Sequence, residues 1–80
     1  MANTNTTEKL VYDYSKLLGK IIEKFRSQQR FAPALGLSER SLSLKLNNMI
    51  DFKQNEISKC CTLLGIEQAE IHEYFFTLKV

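Results

Sequence analysis

Residues 28–47, QQRFAPALGLSERSLSLKLN, constrain the fold more than any other stretch of the chain. Phe31, Ala32 and Leu35 give the first half an apolar stripe at helical spacing. Gly36 stands where that helix must end, at a position suited to a residue that accepts positive φ. Leu37 turns the chain back to the core, Ser38 is an N-cap, and Glu39 complements the dipole of the helix that follows. A helix, a glycine turn and a second capped helix make a helix-turn-helix pattern.

The rest of the chain supplies helices to pack around this unit. Asp13 can cap a helix over residues 14–25, in which Leu17, Leu18, Ile21, Ile22 and Phe25 share one face. Gly19 weakens that helix, unless it permits a close crossing. Ser27 caps the next helix, residues 28–35, and the helix after the turn runs over residues 39–47. A fourth helix over 54–64 carries Ile57, Cys60, Cys61 and Leu64 on one face, and Gly65 ends it. A short fifth helix over 68–75 gathers Ile71, Tyr74 and Phe75, and residues 76–80 read as extended. Residues 1–9 are polar and aperiodic, and are expected to form a disordered leader before a single domain over 10–80. The expected class is all-α, a compact bundle of about five short helices with a short extended tail.

At this point the residues resemble the lambda-repressor and Cro superfamily, the xenobiotic-response-element type of helix-turn-helix. Gln28, Ala32, Leu35, Gly36, Leu37, Leu42 and Asn47 carry the resemblance. The flanking YDYSKLLGKI and EIHEYFF are similar to small Cro-like regulators of phages of Gram-positive bacteria. Two positions depart from the pattern. Pro33 lies inside the first helix, and Lys45 stands where an apolar residue is usual, with Leu46 beside it to take over the burial.

The resemblance implies a sequence-specific regulator, a Cro-like repressor that binds double-stranded operator DNA as a homodimer inside the bacterial host cell. Gln28 would then hold the DNA backbone and brace the recognition helix. Arg40 can bond guanine O6 and N7 together; Glu39 can accept from cytosine N4 or merely orient Arg40. Ser38, Ser43 and Lys45 can add base or phosphate contacts, and Leu44 can meet a thymine methyl or cover neighbouring protein. Asn47, Asn48 and Lys53 are phosphate-contact candidates. A basic body suits this reading: between Lys16 and Lys59, nine Lys and Arg face four acids, whereas the chain beyond Gly65 is net acidic. Tyr74, Phe75, Phe76, Leu78 and Val80 are more apolar surface than four short helices readily cover, and so are the expected dimer interface. The rival reading keeps the fold and gives it to a protein-interaction module, an antirepressor or an antitoxin-like partner.

Enzymatic activity is not expected. The sole histidine, His72, lies among tail aromatics, and no Gly-rich phosphate loop or nucleophile motif stands out. Two adjacent cysteines and one histidine cannot build a four-ligand zinc site in one chain, so no metal or other cofactor is expected. Cys60 and Cys61 read as small core residues.

Overall fold

Ser15–Phe25 form the first helix, α1, because Leu17 and Ile21, one turn apart, both reach the core and are fully buried. The structure, a computed structural model, describes residues 10–80; the expected leader lies outside the described residues. Asp13 accepts the Ser15 N–H at 2.9 Å, so its carboxylate holds the start of α1 from two residues upstream. Arg26 closes the helix in the left-handed region (φ 78°) and donates to Ile22 O. Ile22, expected on the core face, is 44% exposed. Gly19 permits no close crossing, since a Cβ placed there would meet nothing within 4 Å.

The second helix, α2, is Gln28–Leu35, and the third, α3, is Glu39–Leu46. Ser27 and Ser38 cap them, accepting from Arg30 N and Ser41 N respectively. Between them Gly36 sits at φ 84°, and Leu37 N–H reaches back to Ala32 O at 2.9 Å. That reach of five residues is the Schellman closure, which needs the left-handed residue at the turn. α2 still begins at Gln28 and runs through Pro33. The carbonyl orphaned by the proline belongs to Gln29; both residues are exposed, so water can satisfy it.

The fourth helix, α4, spans Gln54–Leu64, and left-handed Gly65 ends it. A 3₁₀ turn, Gln68–Glu70, leads into the last helix, α5, Ile71–Phe75. The described residues therefore form an all-α bundle of five helices. α2 lies at its centre, packed on α1, α3 and α4, while α5 closes the bundle against α1. Phe31, Ala32 and Leu35 of α2 meet Leu42, Cys60 and Leu64 at the middle of the core. Phe25 packs edge-on against Phe31 at 5.0 Å, which adds to the area that both rings bury. Cys60 is fully buried, and burial pushes its thiol up to about 12, so it stays protonated and unreactive.

The tail does not stand free. Tyr12 and Leu78 form an antiparallel bridge, flanked by Asp13 N–H to Thr77 O (2.7 Å) and Lys79 N–H to Val11 O (2.9 Å). Residues 76–80 are thus tied to the segment ahead of α1.

Two substitutions on exposed helix faces should stabilise the bundle. Gly19→Ala removes a propensity cost of about 1 kcal/mol, and Pro33→Ala restores a helical N–H. Circular dichroism melts should show each raising Tm by roughly 4–8 °C per kcal/mol gained. An unchanged Tm for Pro33→Ala would mean that the proline is already relaxed in α2.

Candidate functional site

The loop over residues 47–53 organises the most site-like surface of the molecule. Asn47 ends α3, its amide donating to Ser43 O at 2.8 Å. Asn48 then takes a left-handed conformation (φ 64°), which asparagine tolerates. Its side chain acts as a strand partner to Tyr12: Tyr12 N–H donates to Asn48 Oδ1 at 2.8 Å, and Asn48 Nδ2 donates to Tyr12 O at 2.9 Å. Loop, N-terminal segment and tail are therefore stitched side by side.

Behind the loop is a buried ion pair. Lys45, 5% exposed, places its ammonium 3.0 Å from Glu56 Oε1 and donates to Asp51 O at 2.9 Å. The same Glu56 oxygen accepts Lys53 N–H at 2.8 Å, capping α4. Burial alone pushes the Glu56 carboxyl up. The Lys53 N–H, the Lys45 hydrogen bond and the two lysine charges together outweigh it, and its pKa falls below the ordinary 4.5.

This network sets Asp51 and Phe52 at the rim of a groove of about 460 Å³. Tyr12, Tyr14, Phe52, Phe75 and Phe76 line it with aromatic surface, Ile57 adds an aliphatic one, and Asp51 and Gln54 supply polar groups. The rings brace one another edge to face: Tyr14 on Phe52 at 5.4 Å, Phe52 on Phe75 at 5.4 Å, Tyr12 on Phe76 at 5.9 Å. Burial, then Tyr12 and the Asp51 carboxylate, raise the Tyr14 pKa, so its hydroxyl stays protonated. The same three segments also expose apolar side chains: Leu10, Val11, Met49, Ile50, Leu78 and Val80. A largely apolar concavity with few polar groups is suited to binding.

The residues expected to touch DNA do not act as one set. Glu39 and Arg40 lie exposed on the first turn of α3, whereas Ser43 and Leu44 are half-buried. Ser38 spends its oxygen on the Ser41 N–H, and Asn47 and Asn48 are engaged within the protein. Lys45 is the clear correction, for its cation is inside the molecule and held by Glu56. Gln28 is half-buried at the start of α2, beside a second depression lined by Tyr12, Leu46 and Asn48. Lys53 is exposed, and its backbone serves as the α4 cap.

The expected dimer interface divides too. Tyr74 and Phe75 are core, 6% and 1% exposed, because α5 turns them onto α1 and the Phe52 ring. Phe76, Leu78 and Val80 remain at the surface. Sequence reasoning missed Tyr12, Tyr14, Asp51, Phe52 and Gln54. The available signal was Phe52, an aromatic residue in a loop that also carries Met49 and Ile50. Among the described residues, no group of three or more His, Cys, Asp or Glu could hold a metal ion. None of the described helices is long and apolar enough to cross a membrane.

Residues 10–78 match the family described as a protein of unknown function, DUF739, and the chain belongs to that family. It is also similar to a phage protein of known structure. That structure is the solution structure of the modulator of repression (MOR) of the temperate bacteriophage TP901-1 from Lactococcus lactis. The identity is 52%, the match covers 81% of this chain and 88% of that one, and the TM-score is 0.73. No curated protein matches the chain.

These findings overturn the resemblance to the lambda-repressor and Cro superfamily. The Cro-like, homodimeric, operator-binding repressor falls with it, because the similar phage protein is a modulator of repression. The two helices joined at Gly36 are present, but their assignment as a DNA-reading pair is withdrawn.

The Lys45–Glu56 pair gives a direct test. Glu56→Gln keeps an acceptor for Lys53 N–H but leaves the ammonium buried without a counter-charge, at a cost of about 3 kcal/mol or more. Urea unfolding at pH 7 should show that loss, and Lys45→Met added to it should recover part. Because the folded pKa of Glu56 lies below 4.5, its stabilisation is complete above pH 4.5. It is lost as pH falls through the lower folded value, so the variant should lack this acid-sensitive component.

Proposed function

We propose that this protein modulates phage repression by binding a protein partner, the repressor, rather than by binding operator DNA. The observation that carries the reading is the 52% identity to a phage modulator of repression over 81% of the chain. At that identity, with a TM-score of 0.73, the fold is shared.

The surface chemistry agrees. A DNA face depends on free cations that meet phosphates, and here Lys45 is internal and paired. The groove is walled by aromatic side chains, and the segments that form it also expose Met49, Ile50 and Leu78. Exposed apolar and aromatic side chains in such number are typical of protein contact sites. The protein would act inside the host cell, where a repressor acts.

Calorimetry and size-exclusion chromatography with the repressor protein of the same genome test this reading. A stoichiometric complex is expected, with an affinity that varies little between 50 and 200 mM salt. Binding through six to ten phosphates would weaken by about 10³–10⁵-fold over that range. Failure to bind the repressor, with steeply salt-dependent binding to an operator duplex, would contradict it.

A further inference from the structure

We propose that the groove between the N-terminal segment and the 47–53 loop receives an arginine side chain of the protein partner, stacked on its aromatic walls and paired with Asp51. The inference rests on the protein-binding reading and names the chemistry that the site selects.

The groove holds one kind of charge. Its lining contains the Asp51 carboxylate and no cation. Among the described residues, Asp51 makes no ion pair. The nearby Lys45 cannot serve it, since that ammonium is held by Glu56 and meets only the backbone oxygen of Asp51. Lys53 follows closely in sequence but does not line the groove.

An apolar side chain entering here would strip water from a carboxylate and from the two tyrosine hydroxyls without replacing their hydrogen bonds, which is costly. An acidic side chain would meet like charge. A guanidinium answers both demands: its plane stacks on Tyr or Phe faces, whose π-clouds attract cations, and its fork of N–H donors matches a carboxylate. The volume, about 460 Å³, leaves room for the aliphatic stem along Ile57 and Phe76. The rings are already braced edge to face, so little ordering is needed on binding.

The probes are two blocked heptapeptides that differ only at the centre, arginine in one and the uncharged isostere citrulline in the other. Added to the isotopically labelled protein in 50 mM salt, the arginine peptide should saturably shift the NMR signals of Tyr12, Tyr14, Phe52 and Phe76. The citrulline peptide should bind about tenfold more weakly, in line with the loss of an ion pair and a cation–π contact. Asp51→Asn should reduce arginine binding to a similar extent and leave Tm unchanged, because Lys45 contacts the backbone there.

Equal binding of the two peptides, or shifts confined to α3, would overturn the proposal. With the repressor itself, Asp51→Asn should weaken the complex about tenfold. If the variant bound the repressor as well as the wild type, the protein-binding reading would stand and the arginine site would fall. If neither bound the repressor, that reading would fall, and the peptide pair would still decide the groove.

Discussion

Lys45 carries its charge into the seam between α3 and α4, and the surrounding loop is shaped by what that charge demands. A buried ammonium is tolerated only with a counter-ion and with its donors satisfied. Glu56 supplies the carboxylate and the backbone of Asp51 supplies an acceptor. Since Glu56 also caps α4 through Lys53 N–H, one carboxylate fixes the end of the loop and the start of the next helix. An apolar residue at position 45 could fill the space, but it could not draw the Asp51 carbonyl inward. Loop geometry, and through it the placement of Asp51 and Phe52, follows from the ion pair.

A second polar clamp acts from the other side. Asn48 presents both ends of its amide to the backbone of Tyr12, in place of a neighbouring strand. Tyr12 in turn bridges Leu78, so three segments distant in sequence lie edge to edge. The tyrosines and Phe76 reach the groove because these hydrogen bonds hold the otherwise irregular N-terminal segment and tail in place. The helical bundle is thus a platform, and the candidate site is built on its loop and termini, as is common for binding surfaces.

The helices were legible in the sequence because their signals are local. Ser27 and Ser38 as caps, Gly36 and Gly65 as stops, and the apolar spacing of Phe31, Ala32 and Leu35 place α2, α3 and α4 to within a residue. The site was not legible, because its bonds are not local. Glu56 lies beyond a loop from Lys45, so no helical spacing announces the pair, and Asn48 meets Tyr12 thirty-six residues away. Ile22 shares the helical face of Leu17 and Ile21 in sequence, yet it lies at the edge of the packed surface and stays exposed. Tyr74 and Phe75 looked like surplus apolar surface only because the depth of the core under α5 cannot be counted from periodicity. The functional assignment failed for a related reason. Two capped helices joined at a glycine specify a scaffold, and the same scaffold can present its surface to nucleic acid or to protein.

The central claim is that this scaffold meets a protein through the aromatic groove and its apolar surround. Amide hydrogen exchange of the protein, alone and mixed with the repressor of the same genome, tests it most directly. The account predicts slowed exchange in residues 10–14, 49–54 and 76–80, with the outer face of α3 little changed. Slowing confined to α3, with the groove segments exchanging as in the free protein, would contradict it.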